Sequence, residues 1–373
     1  SKYPNIKVEY EKGILSNDYS EWLSEQILKG TEPDVYLVLD EDFNTLASLG
    51  ALKNLDMLVG GDKEFDFNVF YSSVYKAGQY EGSQYALPME CNPTLMFVNK
   101  TLLQKEGIKV PDNDWTWDDF YDICKTIVKD SDGDGQMDQF GCYDYTWLQA
   151  VYSNGITPFN QSGTSSNFLD EKFSQSLEFV KRLEATNRNY QVTSNDFDLG
   201  KVAFRPFTFS NYRTYMPYPW RIKKYSGFEW TCIRMPAGPS GDNRSEMSAL
   251  MAGMSSRTEK KQCAWDFVKL LTTDTDIQKL VYEDTSAASV LKSVNTSQDT
   301  MNLLNKDTPG NCIIDMSLLD TAIDAGVIPN RFEQYEEAYE KTDSLIKSYV
   351  DEEGASSTFL FQMKNQIDKI LKK

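Results

Sequence analysis

The sequence predicts an α/β protein built as two lobes, and three observations lead there. The chain has 373 residues, more than one hydrophobic core usually organises, so two are expected. Its first fifty residues alternate strand-like and helix-like stretches, the order that builds a mostly parallel sheet flanked by helices. An apolar content of 40%, with 20 Phe and 21 Tyr, supplies ample core material for both lobes.

Taken in order, Tyr3–Glu11 alternates apolar and polar residues and reads as a strand. Asn17–Lys29 is an amphipathic helix with Trp22, Leu23, Ile27 and Leu28 on one side. Pro33–Leu39 is a continuous apolar run, the pattern of a strand buried on both faces. A helix carrying Leu46 and Leu49 then stops at Gly50. Thr94–Val98 is a second buried strand, followed by Asn99-Lys100 and a short helix ending at Gly107. Thr116 is the expected N-cap of a helix reaching about Lys129, with Asp118 and Asp119 at the positive end of its dipole. Leu169–Thr186 aligns Phe173, Leu177, Val180 and Leu183 along another helix. A strand opens Phe197–Asn211, and Met235–Pro239 is a turn cluster. A strand at Ser248–Met254, a helix at Lys261–Leu271 and an amphipathic helix at Phe359–Leu371 complete the chain.

Composition removes whole classes of function. A net charge of −18 repels nucleic acid and anionic membrane alike. The chain has no histidine, which excludes Ser-His-Asp and Cys-His triads and every His-ligated metal. Six cysteines, at 91, 124, 142, 232, 263 and 312, show no CxxC spacing. They read as free thiols packed like small hydrophobes, with disulfides the competing reading. The apolar runs are too short for a membrane span. Ser1 is expected to be a trimmed start.

Three groups of residues carry candidate chemistry. Asp130, Asp132, Asp134 and Asp138 stand at positions 1, 3, 5 and 9 of a loop with Gly135 at position 6. That is the oxygen-ligand spacing of a calcium loop, with the carbonyl of Gln136 as a fifth ligand. Gly141 stands where the bidentate Glu would be, so an Asp/Gly-rich turn held by its own hydrogen bonds is the competing reading. Asp40, Glu41 and Asp42 follow the Pro33–Leu39 strand at its carboxyl end, where open α/β sheets place ligands. Two aromatic and polar turns, Tyr143-Asp144-Tyr145-Thr146-Trp147 and Pro206–Tyr212, suit a carbohydrate face, although core packing is the plainer reading of any one ring.

The order of strand, Asn99-Lys100, Leu102-Leu103, Gly107, Pro111 and Thr116-Trp117-Asp118-Asp119-Phe120 resembles extracellular solute-binding proteins of ABC importers. The likeness is to the maltose-binding type that captures oligosaccharides. Gly200-Lys201-Val202-Ala203 and Ala264-Trp265-Asp266-Phe267-Val268-Lys269 resemble further stretches of the same family. The resemblance implies a two-lobed type II binding-protein fold joined by hinge strands, with the chain crossing at Glu90–Thr94 and returning at Ser248–Met254. Lobe one is then residues 1–92 and 256–309, and lobe two 93–255 and 310–373. In the family another strand and helix precede the segment at Tyr3, so a truncated or altered first sheet is expected.

What the resemblance implies for function follows the same route. Such proteins place a ligand-contacting carboxylate where Glu90 stands, with Asn92 beside it. Pro206-Phe207-Thr208-Phe209-Ser210-Asn211 is similar to a Pro-Trp-x-Trp-Ser-Asn segment whose first ring stacks on sugar, which nominates Phe207, with Asn211 and Tyr212 near it. Tyr145 and Trp147, beside Asp144, match a second ligand-touching stretch, and Tyr335 a third. Tyr145, Phe207 and Tyr335 are therefore expected to face the cleft opposite Glu41, Asp42 and Glu90. The family implies capture of a carbohydrate, delivery to a membrane permease of an ABC transporter, and no covalent chemistry. A monomer that requires no cofactor is expected, with the Asp130–Asp138 loop the candidate place for a structural calcium. Its location is the outer face of the cell membrane, lipid-anchored, or the periplasm. Two rivals stand beside this reading. One is a secreted carbohydrate-active enzyme using paired carboxylates roughly 5–9.5 Å apart, such as Glu90 with Glu41 or Asp144. The other is a binding protein for a polyamine, which an acidic, aromatic cleft suits.

Overall fold

One strand, Ala86–Asn99, organises the structure, because its two halves belong to two different ladders. The computed structural model describes residues 6–10, 13–188, 190–215, 227–307, 315–350 and 357–373. The first half pairs antiparallel with the strand Met247–Met254, from Ala86 opposite Gly253 to Pro93 opposite Met247. Pro88 has no N–H to give that ladder, and the register shifts between Pro88 and Glu90. From Thr94 onward the partners change to Val202–Thr208 on one edge and Trp230–Ile233 on the other. The partners of the strand thus change at Pro93–Thr94.

The sheet is mixed. Phe140–Cys142 runs parallel to Val202–Thr208, while the other named ladders are antiparallel. This differs from the mostly parallel expectation because both strands that cross between lobes run against their neighbours. Among the described residues the Val35–Val38 strand pairs only with Met247–Met254 and stands at the end of the sheet order. Tyr36 and Val38 are buried but Leu37 is 36% exposed, so the strand is covered on one face rather than two. Residues 6–10, expected within a strand, take no regular structure and are largely exposed. The rest of Tyr3–Glu11 lies outside the described residues.

The helices follow their local signals. Thr116 and Asp119 form a capping box at the start of Trp117–Ile127, which buries Trp117, Phe120, Cys124 and Ile127. Asn99 accepts from the Leu102 N–H and starts Lys100–Lys105. Glu171–Glu184 buries Phe173, Leu177, Val180 and Leu183, and its Phe179 stacks on Trp117 at 4.2 Å. Tyr335–Val350 and Ser357–Ile370 pack over Trp147–Ser153. Separate apolar clusters lie to either side of the switch. A further one joins Tyr71, Cys91 and Leu291 to Phe97, Phe207 and Trp230. Cys91, Cys124, Cys142 and Cys232 are buried free thiols and Cys263 is an exposed one, whereas Cys312 lies outside the described residues.

Candidate binding cleft

The two crossing strands have unlike faces. Residues paired across an antiparallel ladder point to the same side. Glu90 opposes Leu250 and Asn92 opposes Ser248, and Glu246 precedes Ser248 by two residues. These five are partly exposed, whereas Cys91, Met247, Ala249 and Met251 between them are buried. One face of the ladder therefore closes a core. The other face is a partly exposed floor, polar except at Leu250.

At one end of this floor, burial holds the Glu90 carboxyl above its usual range, against a hydrogen bond from Thr285. Asn92 Nδ2 donates to Ser210 Oγ at 2.8 Å, and the Ser210 N–H donates back to Asn92 Oδ1 at 2.9 Å. Arg213 donates to the carbonyls of Thr285 and Tyr282 at 2.9 and 2.8 Å. These bonds seat the helix Phe209–Thr214 against the floor.

The other end is acidic. Burial, then the carboxylates of Asp40 and Glu336, push the Glu246 carboxyl up to about 7. Glu336 is raised too, first by burial and then by Asp40, Glu340 and Glu41, with Arg331 opposing. Asp40 is paired with Arg331 at 2.6 Å, and the Arg331 guanidinium lies 5.0 Å from the centroid of the Phe43 ring. Tyr335 and the partly exposed Tyr339 stack parallel, 6.0 Å between centroids. Asp42 accepts from the Ser20 hydroxyl at 2.6 Å, while Glu41 is exposed.

The structure brings Asp40, Glu41 and Tyr335 into one neighbourhood and puts Glu90 and Asn92 on the floor. It does not bring the aromatic turns there. Phe207 is 8% exposed, set edge-on against Phe97 and Phe197, with the Arg205 guanidinium 4.3 Å from its centroid. A ring buried to this degree, with a cation over it, offers almost no accessible face to another flat group. Tyr145 packs on Phe120 at 5.2 Å, and its hydroxyl sits 3.4 Å from that of Ser153. Trp147 opens a helix behind the N-cap Thr146 and donates to Asp343 at 3.0 Å. Tyr212 is buried against Phe97. These four rings are core, since each is covered by aromatic neighbours. Asp144 is exposed and pairs with Arg205 at 3.6 Å, and Asn211 is exposed on the helix Phe209–Thr214.

In the Asp/Gly-rich loop, carboxylate oxygens of Asp130, Asp132 and Asp138 lie within 4.8 Å of one another. Asp130 accepts from the N–H groups of Gly133 and Gly135 at 2.6 and 2.8 Å, and Asp138 from Ser131. Those bonds hold both carboxyls below their usual range. Asp134 accepts instead from the Gln136 N–H at 2.8 Å. The loop is thus shaped by its own hydrogen bonds, with three of the predicted ligands convergent.

Sequence reasoning missed Glu246, Arg331, Glu336 and Tyr339. A signal for the first was present: the alternation of the strand expected at Ser248–Met254 continues back through Met247 to Glu246, just before its start.

The architecture matches known proteins throughout its length. A sugar transporter from Rhizobium etli, in an open conformation, superposes with a TM-score of 0.79 at 16% identity, covering 98% of this chain and 92% of that one. The cyclic alpha-maltosyl-1,6-maltose binding protein of Arthrobacter globiformis gives 0.78 at 16% identity, with coverages of 96% and 90%. The sugar-binding protein MalE of Xanthomonas citri gives 0.77 at 15% identity, with coverages of 97% and 89%. At these identities the likeness shows the fold. The sequence itself matches the family model described as bacterial extracellular solute-binding protein over residues 1–277, and the chain belongs to that family.

Proposed function

We propose that this chain captures a carbohydrate, an oligosaccharide, in the cleft between its lobes and delivers it to the membrane permease of an ABC transporter. The single observation that supports this most is the cleft floor. Glu90, Asn92, Ser248 and Glu246 form a line of polar side chains on the crossing strands, ending at the Tyr335–Tyr339 stack. Sugars need such a mixture, planar carboxylates and amides for hydroxyls and a flat apolar ring for their C–H faces. The lobes are residues 1–92 with 256–309, and 93–255 with 310–373, in keeping with the ladder switch at Pro93–Thr94. The protein acts as a monomer outside the cell, tethered by lipid or confined to the periplasm, and performs no covalent chemistry.

A thermal-shift screen against oligosaccharides tests this, since ligand at 100 times its Kd adds about 2.7 kcal/mol of stability. Failure of every oligosaccharide to stabilise the protein would reject it, and turnover of one that binds would favour the enzyme reading.

The Asp130–Asp138 loop takes a structural Ca2+, a reading the convergence of Asp130, Asp132 and Asp138 supports. Hard cations of this type prefer such oxygen sets. Calcium added to chelated protein should raise its melting temperature, and Asp130→Asn should abolish the rise. An unchanged melting temperature returns the loop to a hydrogen-bonded turn.

A further inference from the structure

The rings of the two aromatic turns pack inward, but one charged pair beside them stays within reach of solvent. Phe140–Cys142 and Val202–Thr208 run parallel, and both point their carboxyl ends back along Ala86–Asn99 towards Asn92 and Glu90. Thr208, the last residue of the second, lies opposite Thr94. Just beyond it, Ser210 exchanges hydrogen bonds of 2.8 and 2.9 Å with Asn92 on the floor. Tyr143, just past the first strand, donates its N–H to the Phe204 carbonyl at 3.0 Å, and Asp144 follows beside Arg205. Carboxyl ends of parallel strands are where open α/β sheets put their ligands.

Arg205 is held at this edge by rings. Its guanidinium lies 4.3 Å from the centroid of Phe207, 4.8 Å from that of Tyr143 and 5.3 Å from that of Phe197. Asp144 Oδ2 stands 3.6 Å from Arg205 Nη2, close enough for attraction and too far for a hydrogen bond. Among the described residues neither side chain makes a hydrogen bond, and Arg205 Nε is buried without a partner. Aromatic faces can fix a guanidinium without occupying any of its N–H groups. What results is an oriented fork of unused donors next to a carboxylate with unused acceptors. The Arg205 side chain is 18% exposed and that of Asp144 52%, so a ligand can reach both.

A hydroxyl is donor and acceptor at once. Two adjacent sugar hydroxyls can accept from Arg205 and donate to Asp144, bridging groups that stand too far apart to satisfy each other. An acidic sugar would set a second negative charge beside Asp144, which disfavours it. The Phe207 ring is covered, so the guanidinium is the group left to meet a ligand here. We propose that Arg205, together with Asp144, binds adjacent hydroxyls of a neutral sugar and sets which sugar the cleft accepts. The inference rests on the carbohydrate reading and adds a specificity-determining residue to it.

Titration calorimetry on the intact chain tests this, with maltotriose, cellotriose, xylotriose, mannotriose and trigalacturonate as probes. The tightest-binding neutral sugar is then titrated into Arg205→Lys, which keeps the charge but loses the planar fork, and into Asp144→Asn. Each variant, with its folding checked by the urea midpoint, should bind that sugar at least tenfold more weakly. In the double variant the loss should fall short of the two single losses combined, because both groups hold the same hydroxyls. Asp144 is half exposed, so Asp144→Asn carries the test should Arg205→Lys fail to fold. Unchanged affinity in the folded variants would overturn the inference and leave the carbohydrate reading standing. Tighter binding of trigalacturonate than of any neutral sugar would also overturn it, since Arg205 would then serve a carboxylate. Binding of none of the probes would overturn both.

Discussion

Glu246 is a glutamate whose proton the fold holds more tightly than water does. Burial and two neighbouring acids raise it from an ordinary 4.5 to about 7. A carboxyl raised on folding contributes stability that is complete below its unfolded value and is lost as pH rises through its folded one. The wild-type protein should therefore weaken between about pH 4.5 and 7. Glu246→Gln should be the more stable form at pH 8, by on the order of 2–3 kcal/mol, with the advantage gone at pH 4. Urea titrations at three pH values measure this; a difference independent of pH would mean that burial is not what disturbs Glu246. Some pH dependence will survive in the variant, because Glu90 and Glu336 are shifted in the same direction. Two aromatic substitutions separate packing from recognition at the same scale. Phe207→Ala empties a site walled by Phe97, Phe197 and Arg205, and should cost about 3–5 kcal/mol of stability. Tyr339→Ala removes a partly exposed ring, and should lower ligand affinity at least tenfold while moving the urea midpoint little. The opposite pattern would restore the stacking role to Phe207.

Among elements, those shaped by neighbours in the chain were legible in the sequence and those shaped by distant partners were not. The helix Trp117–Ile127 could be read because its cap, Thr116, and its apolar positions lie within one local pattern. Thr116→Ala should cost about 1 kcal/mol, seen as a lower melting temperature; no loss would mean that Asp119 alone satisfies the helix end. The edge position of Val35–Val38 could not be read, since its partner Met251–Met254 lies more than two hundred residues away. The same distance hid the acidic end of the cleft, where Asp40 meets Arg331 and Glu336. The misplaced rings had overlooked local signals. Arg205 and Phe207 are two apart on one strand and so share a face, which is why the guanidinium covers the ring. Thr146 with Gln149 is a capping box, which makes Trp147 the first residue of a helix rather than part of an open turn.

At the scale of the molecule, the proposed layout has the lobes approach over the floor formed by the crossing strands, a hinge motion known for binding proteins of this architecture. Ligand should reduce the radius of gyration measured by small-angle scattering; an unchanged radius with bound ligand would mean that the cleft does not close. The strand Ala86–Asn99 has a second consequence, for how the protein comes apart. In that layout it supplies a ladder to each lobe, and the cluster joining Tyr71 and Leu291 to Phe97 and Trp230 runs past the point where the ladders change. Melting either lobe would strip the other of backbone partners and bare its aromatic interior. The two should therefore unfold as one cooperative unit, with a calorimetric enthalpy close to the van't Hoff value rather than two resolved steps. Either lobe produced alone would carry half a strand with nothing to pair and an uncovered wall of rings, and would aggregate.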